Sequence, residues 1–284
     1  MKLGLRYKTI YCYERAVGFS PHALRLFPRA DRFHRVRRLE FLANGGATVR
    51  YGRDVFDNLV AFCSFPEKMR DLSFELEIDL DLEKKDAFDF ILDAEAVDLP
   101  FFYDDEVAEL LAPYRRRQTT GALDIPGWKP PGEGERCGTV SGLVALNQAM
   151  HQGIGYERRE EGPALAPTET LRRGRGACRD VAVLLAELLR AQGLAARLVS
   201  GYLREADAKS KRAEGSLHAW TEVYLPGAGW VGMDATNGVF CNHNFIGAAV
   251  GLRPADVTPI DGKYFMEEGE VRSEMTCRLE LLQL

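Results

Sequence analysis

The chain has 284 residues, of which 46% are hydrophobic and 28% charged, so it can bury a sizeable core and form two domains. A formal net charge of −5 argues against nucleic acid as its main partner. The N-terminal segment is interrupted by charged residues, and no apolar run is long enough to span a bilayer. We therefore expect a soluble protein with no membrane partner and a cytoplasmic location.

Residues 1–95 are predicted to form an antiparallel β-sandwich, the first domain of an α+β protein. Apolar residues alternate with acidic ones between positions 74 and 82, which is typical of a strand with one buried and one solvated face. Asn44-Gly45-Gly46 stands between two apolar segments and predicts a β-hairpin. Arginines cluster between positions 22 and 38, but no aromatic stacking pattern accompanies them, so a solvated face is favoured over a nucleic-acid site.

Residues 96–136 are predicted to be a helical and Pro/Gly-rich linker. Asp104 and Asp105 precede an apolar helical pattern, which favours a helix start rich in acids over a metal or acid–base pair. The stretch 118–138 contains three prolines and five glycines, which indicates a loop or an interdomain connection.

Residues 137–284 are predicted to form the second domain, in which helices come first and an antiparallel sheet follows. Thr139 or Ser141 can cap the first of these helices. The predicted strands cover residues 196–203, 217–225, 230–234 and 274–281, and a charged surface loop is predicted over 205–215.

The stretch 174–190 predicts a helix with Cys178 in its first turn, preceded by Gly174 and Gly176 and ended by Gly193. The unpaired N–H groups and the dipole at a helix N-terminus favour an anion, so they lower the pKa of a thiol. Backbone donors there can also face a developing oxyanion. A lone cysteine is more often a buried structural residue, so the catalytic hypothesis requires a base.

His218 is the candidate base, and Asp234 is the candidate partner that orients it. If the loop over residues 226–229 had all four residues unpaired, Asp234 would point to the opposite face from His218. A loop that is one residue shorter or longer, or a bulge near the glycines, places Asp234 opposite Trp220 or Glu222 instead. We predict one of these arrangements, and with it one face shared by His218 and Asp234.

A metal site could in principle use Cys178, His218, Cys241 and His243, but no paired ligand spacing supports it. No metal and no cofactor are expected. The cysteines are scattered, and a chain of this size does not need disulfides, so free thiols are predicted. The cysteines lie at positions 12, 63, 137, 178, 241 and 277.

Three segments resemble the bacterial transglutaminase-like family, within the papain-like cysteine enzymes. They are TLRRGRGACRDVAVLLAELLRAQGLAARLVSGYL, LHAWTEVYLPGAGWVGMDATNG and DVTPIDGKY. The upstream segment FDFILDAEAVDLPFFYDDEVAELLAPY and the region ending near DVFDNLVAF resemble the linker and the N-terminal β-domain of the same proteins. The resemblance implies a papain-like core with Cys178 as nucleophile, His218 as base and Asp234 as its partner. The sequence departs from the family pattern at Ala177, Ala235 and Asp57, where Ser or Val, Pro, and Gly are respectively expected.

The implied reaction is attack by the Cys178 thiolate on an amide of a protein or peptide substrate, through a thioester intermediate. Hydrolysis would make the enzyme a protease, amidase or deamidase, and transfer to an amine would make it a transglutaminase; the sequence leaves this choice open. The backbone N–H of Cys178 is expected to hold the oxyanion together with a second donor, for which the candidates are Asn147, Gln148 and Trp220. The oligomeric state and any dependence on Ca²⁺ are also open.

Two alternatives from other classes were weighed. The first is a non-catalytic protein-binding module that retains the transglutaminase-like fold, and the second is a redox or metal-binding protein that uses the cysteines. The binding module predicts a Cys178 thiol of ordinary reactivity, whereas the enzyme predicts an activated one, and zinc analysis of the protein purified under reducing conditions tests the second alternative.

Overall fold

The computed structural model describes residues 1–159, 162–204, 212–266, 269 and 271–284, with backbone alone for 212–216. The helices are α1 (Asp105–Leu110), α2 (Ala112–Arg115), α3 (Thr139–Gly153), α4 (Pro167–Arg173) and α5 (Cys178–Ala191), and 3-10 turns lie at Ala94–Ala96 and Pro254–Val257. The strands are β1 (Lys2–Phe19), β2 (His22–Leu24), β3 (His34–Ala43), β4 (Thr48–Arg53), β5 (Leu59–Ser64), β6 (Met69–Leu82), β7 (Asp98–Leu99), β8 (Cys137–Gly138), β9 (Gly155–Tyr156), β10 (Arg175–Gly176), β11 (Ala196–Arg204), β12 (Arg212–Leu225), β13 (Gly229–Asp234), β14 (Val239–Phe240), β15 (Phe245–Gly251), β16 (Ile260–Asp261), β17 (Tyr264–Phe265) and β18 (Ser273–Gln283).

The N-terminal region is an antiparallel sandwich, which confirms the predicted fold class. One sheet contains β3, β6 and β1, and the other contains β4, β5 and β2. The predicted alternation in β6 is seen as a row of buried apolar side chains between partly exposed acids. The core between the two sheets includes Leu3, Leu5, Leu24, Ala61, Cys63, Phe74 and Leu76.

The last strand lies in the N-terminal sheet. β18 pairs with β1 from Leu3–Gln283 to Tyr13–Ser273, while only its end also pairs with β12. The division of the chain at 137–284 had placed this strand in the second domain. Its alternation identifies it as a strand but contains no information about its partner, and pairing with β1 joins the two ends of the chain.

The predicted hairpin at Asn44 is wrong. The two flanking strands belong to different sheets, because β3 pairs with β6 and β4 pairs with β5. Gly45 has a φ of +67°, as a tight turn requires. The Asn44 side chain then bonds to β6, donating to the carbonyl of Asp71 and accepting from the N–H of Ser73. The turn therefore connects the two sheets of the sandwich.

The linker packs against the second domain through buried polar contacts. The hydroxyl of Tyr103 donates to the carbonyl of Tyr224 at 2.9 Å and accepts the N–H of Ala195 at 2.9 Å. The carboxylate of Glu187, on α5, accepts N–H groups of the linker and pairs with buried Arg190 at 2.9 Å. The acid-rich start of α1 confirms the predicted helix. No helix within the described residues is long and apolar enough to cross a membrane.

The second domain packs α5 against a sheet formed by β15, β11, β12, β13 and β14. On the buried side, Thr221 of β12 donates its hydroxyl to the carbonyl of Ala182 in α5 at 2.8 Å. The predicted cap of α3 is wrong, because Gly138 precedes the helix and Thr139 donates instead to the carbonyl of Ala96. Part of the predicted 205–215 loop, residues 205–211, lies outside the described residues, and β12 already begins at residue 212.

Candidate active site

Helix α5 begins at Cys178, as the sequence predicts. Gly174 ends the preceding helix with a φ of +61°, a conformation that glycine adopts without strain. Gly176 is needed for a different reason, namely space: a Cβ there would lie 2.8 Å from the Cβ of Asp180. These two glycines allow the chain to turn sharply into the helix, so that Cys178 occupies its first position.

Asp180, in the first turn of α5, fixes the start of the helix. Its carboxylate is fully buried and accepts the N–H of Ala177 at 2.8 Å, the N–H of Leu165 at 2.8 Å and the guanidinium of Arg159 at 2.6 Å. The bond to Ala177 satisfies one of the free N–H groups at the helix start. The start of α5 is thus tied to the segment that precedes α4.

The thiol of Cys178 is half-buried and surrounded by hydrogen-bond donors. Burial by itself raises the pKa of the thiol, but the hydrogen bond and charge of His218, with the backbone N–H groups of Ala219 and Arg179, outweigh it. The net result is a pKa below the ordinary value of a cysteine. Cys178 is therefore stabilised as a thiolate.

The register of β12 and β13 brings Asp234 to the face of His218. Leu225 pairs with Gly229, and Thr221 pairs with Met233, so the connection has three unpaired residues. The same register sets Asp234 opposite Trp220. This is the loop one residue shorter that the sequence analysis required, and Gly229 makes it possible with a φ of +74°.

His218 and Asp234 form a buried hydrogen-bonded pair. The Nε2 of His218 lies 2.9 Å from the Oδ2 of Asp234, so Nδ1 is the ring nitrogen left for Cys178. Burial lowers the pKa of His218, but the hydrogen bonds to Asp234 and Cys178 outweigh it and raise that pKa to about 10. An imidazolium beside a thiolate is the charge state that follows from both shifts.

The carboxylate of Asp234 is held by the chain that follows it. Its Oδ1 accepts the N–H of Thr236 at 3.0 Å, and its Oδ2 accepts the side-chain amide of Asn237 at 2.6 Å. The side chain is 1% exposed, so these bonds replace the water that a buried carboxylate loses. Asp234 therefore presents a fixed oxygen to His218.

Aromatic rings shield this pair from solvent. The ring of Trp220 lies 6.4 Å from that of His218 and nearly parallel to it, and Phe245 lies 5.5 Å from Trp220. Cys241 belongs to the same apolar cluster. Its burial, with the charge of Asp234 nearby, raises its pKa well above the ordinary value, so it stays a neutral thiol.

The side chains proposed as second oxyanion donors are hydrogen-bonded to other groups or packed among aromatic rings. Asn147 donates to the carbonyl of Val239 at 3.1 Å, and Gln148 donates to the carbonyl of Gly238 at 2.6 Å. Trp220 is 3% exposed and packs in the aromatic cluster. The side-chain amides of Asn147 and Gln148 therefore contact the turn after Asp234. Of the predicted oxyanion donors, the backbone N–H of Cys178 remains.

The remaining histidines have structural contacts. His34 contacts Asp31 at 2.8 Å and the carbonyl of His243 at 3.2 Å, which joins the two domains. His151 contacts the carbonyl of Thr236 at 2.9 Å. Within the part of the chain that the structure describes, no group of His, Cys, Asp or Glu side chains could hold a metal ion. All six cysteines lie within the described residues, and none of them forms a disulfide bond.

The loop between β4 and β5 of the N-terminal domain contacts the strands behind the site. Asn58 is fully buried and bonds to both the N–H and the carbonyl of Val250 in β15, at 2.9 and 2.8 Å. Phe56 packs against the cluster that contains Trp220. Asp57 has a φ of +63°, which explains why glycine is expected at this position.

Two residues of the site were missed by the sequence analysis, Asp180 and Asn237. An acidic residue at the third position of a helix is a recognisable signal for binding the N–H before the helix, so Asp180 could have been found. Asn237 follows the predicted strand in a turn, and its partner depends on how that turn folds back. No sequence signal identifies it.

Comparisons with known proteins identify matches to both parts of the chain. The Transglutaminase-like superfamily core matches residues 134–235, and the Bacterial transglutaminase-like N-terminal region matches residues 3–81. An uncharacterized protein of Mycobacterium leprae is 39% identical over 144 residues, and one of Mycobacterium tuberculosis is 39% identical over 101 residues. The matches cover 50% and 32% of those two proteins, and 50% and 33% of this chain.

A crystal structure of a candidate cysteine protease from Cytophaga hutchinsonii shares the fold. Its TM-score is 0.69, and the alignment covers 100% of this chain and 91% of that one. The sequence identity is 16%, so the likeness extends to the fold and not to the substrate. The N-terminal sandwich and the core therefore occur together in another protein.

Proposed function

This chain belongs to the transglutaminase-like superfamily, with a core and an N-terminal region of the bacterial type, and from that premise we propose that it is a thiol enzyme acting on amide groups of proteins or peptides. One observation carries the proposal. Cys178, His218 and Asp234 form a continuous chain of hydrogen bonds at the N-terminus of α5. A nucleophile, a base and a group that orients the base are what acyl transfer from an amide requires.

The first half of the reaction forms a thioester. The thiolate of Cys178 attacks the amide carbonyl, a C–S bond forms, and the carbonyl oxygen becomes an oxyanion near the backbone N–H groups of the helix start. The Nδ1 of His218 gives its proton to the amide nitrogen, and the C–N bond breaks. Ammonia or an amine leaves, and Asp234 has stabilised the imidazolium up to that step.

The second half regenerates the thiol. Water or an amine attacks the thioester while the neutral His218 accepts a proton from it, and the C–S bond breaks to release the Cys178 thiolate. With water the product is an acid, and with an amine it is a new amide. We propose hydrolysis or acyl transfer without choosing between them, because the groups at the reacting centre serve both.

The cellular setting is part of the same proposal. Six cysteines without a disulfide among the described residues are in keeping with a reducing compartment, so we propose a cytoplasmic location. We also propose a protein or peptide substrate. The net charge of −5 argues against nucleic acid as the main partner, and no membrane partner is proposed because no apolar run is long enough to span a bilayer. The curated relatives are matched over half of their length or less, so the activity of the whole proteins adds nothing here.

The test combines thiol reactivity with product release. The full chain is titrated with iodoacetamide at a series of pH values, and the alkylated Cys178 peptide is measured by mass spectrometry. A panel of glutamine-containing peptides, with and without a primary amine, is then assayed for release of ammonia and for hydrolysed or amine-linked products. We expect alkylation at a pH below the ordinary thiol range of about 8.5, and products that Cys178→Ala and His218→Ala do not form.

A different result would favour the other candidate class. If wild type and His218→Ala are alkylated with the same ordinary pH dependence, and no peptide is turned over, the chain is a binding module that retains the fold. His218→Ala is the sharper variant, because it leaves the thiol in place and removes the group that lowers its pKa most.

A further inference from the structure

Three polar side chains of α3 point to a role that the proposed reaction does not include. Asn147, Gln148 and His151, which we call the α3 triplet, lie on one face of the helix because residues three and four apart are neighbours there. Each contacts a carbonyl of the Asp234 turn, residues 235–239. Asn147 bonds to Val239, Gln148 to Gly238 and His151 to Thr236.

The same turn holds the carboxylate of Asp234. Thr236 supplies its backbone N–H and Asn237 its side-chain amide, at 3.0 and 2.6 Å. Thr236 therefore makes two of these hydrogen bonds: its carbonyl accepts from His151, and its N–H donates to Asp234. A displacement of the turn away from α3 would move both donors away from the carboxylate.

The turn is closely fitted to His151. Gly238 has a φ of +68°, and a Cβ there would lie 2.9 Å from the imidazole ring. The Nδ1 of His151 must carry a proton, because a carbonyl can only accept. The ring therefore contacts the turn both by a hydrogen bond and by packing.

The side chain of Asn147 lowers the stability of the fold more than a purely structural residue at this position would. Its side chain is 1% exposed, and its Oδ1 is buried without a hydrogen-bond partner among the described residues. An unsatisfied buried acceptor destabilises the fold, and an apolar side chain at this position would avoid the cost. The benefit of the amide is its N–H, which bonds to Val239.

We propose that the α3 triplet positions Asp234, and through it His218, for the reaction of Cys178. This inference rests on the proposed function. Asn147, Gln148 and His151 are positioning residues, because they contact the Asp234 turn and neither the substrate nor the reacting atoms. Their effect on the thiol passes through the Asp234–His218 hydrogen bond, since His218 lowers the pKa of Cys178.

The test is a double-mutant cycle on the full chain. Gln148→Met, His151→Phe and Asn147→Leu are each made in wild type and in Asp234→Asn. Gln152→Met is the matched control, since Gln152 is an exposed glutamine of the same helix. Alkylation of the Cys178 peptide by iodoacetamide is followed against pH, and the melting temperature is measured for every variant. Cys241, which lies in the field of Asp234, and the two other charged groups that act on Cys241, Glu222 and Lys85, are unchanged throughout.

We expect each triplet substitution to raise the midpoint of alkylation by about 0.5 to 1 pH unit in wild type, which corresponds to the loss of one hydrogen bond. In Asp234→Asn the same substitutions should shift it by less than about 0.3 unit, because the group they position has lost its charge. Gln152→Met should change neither background. Since Gln148 and His151 are exposed, their variants keep the experiment decisive even if Asn147→Leu is poorly folded.

Equal shifts in the two backgrounds, or no shift in wild type, would overturn the positioning role. The wild-type profile separately tests the proposed function. An ordinary midpoint in wild type removes the activated thiol, and the inference with it, whereas a low midpoint that the triplet variants leave unchanged refutes the inference alone.

Discussion

Two buried aspartates, one at the start of α5 and one bonded to His218, have similar surroundings but different partners. Asp180 and Asp234 are 0% and 1% exposed, and each accepts three hydrogen bonds. The cationic partner of Asp180 is Arg159, whose charge is permanent. The corresponding partner of Asp234 is His218, whose charge changes during the proposed reaction.

The difference shows how one type of group can serve structure or chemistry. A carboxylate paired with an arginine has a constant charge balance, so it is suited to holding the start of α5. A carboxylate paired with a histidine biases a proton equilibrium, and the raised pKa of His218 reports that bias. Burial is common to both, so the partner decides the role.

The largest expected effect is that of Asp234→Asn. The amide retains the shape of the carboxylate but loses the charge that raises the pKa of His218, so the imidazolium is lost at a lower pH. The pKa of Cys178 then rises, and its alkylation profile moves to higher pH. Turnover of the reactive peptide should fall by about 10³- to 10⁴-fold. An unchanged profile in the folded variant would remove Asp234 from the site.

Asp180→Asn should instead reduce stability. Arg159 would lose the charge of its partner in a largely buried site, which costs about 3 kcal/mol in the free energy of unfolding. Urea denaturation measures this cost. In Asp180→Asn the alkylation profile of Cys178 should stay closer to that of wild type than it does in Asp234→Asn. The reason is that Asp180→Asn removes no positively charged group near the thiol. A large profile shift at full stability would reverse the assignment of roles.

Thr221→Val separates stability from thiol chemistry more finely. The variant removes the buried hydrogen bond between β12 and α5, the two elements that carry His218 and Cys178, at a cost of about 1 kcal/mol. Thr139→Val is the matched control, because it also removes a buried hydroxyl bond to a carbonyl, in the linker contact. Both should lower the free energy of unfolding, but only Thr221→Val should alter the alkylation rate. Equal rates in the two variants would contradict this.

The smallest effect is expected at an aspartate whose carboxylate has neither role. Asp57 has a φ of +63°, and its 3.2 Å ion pair with Arg53 is exposed on both sides and contributes little. Asp57→Gly should raise the free energy of unfolding by about 0.5 to 1 kcal/mol and leave the alkylation profile unchanged. Asp57→Ala, which keeps the strain, should not stabilise, and a gain with alanine would refute the explanation by backbone conformation.

Short-range patterns in the sequence predicted much of the site. The helix over 178–191 follows from its apolar spacing and its glycines. Strand parity is a local count, so the sequence shows that His218 and Asp234 share a face only if the turn is one residue shorter or longer than four, or bulged, and the structure has the shorter turn. Their roles as catalytic residues came from the family resemblance and remain part of the proposal.

Contacts between distant segments needed the tertiary structure. The alternation of β18 identifies a strand but not its pairing with β1, and Asn44 bonds to β6 instead of closing a hairpin. Asn147 and Gln148 show the same limit. As amides they were reasonable oxyanion donors, but they face a turn some 90 residues away in the chain.

The sequence by itself therefore determined most of the elements, the family resemblance and the condition on the register under which Cys178, His218 and Asp234 can meet. Only the tertiary structure decided which donors surround each buried carboxylate. The physical reason is that periodicity and turn length act over a few residues, whereas a side-chain N–H bonds to whichever carbonyl or carboxylate the packed chain brings within about 3 Å.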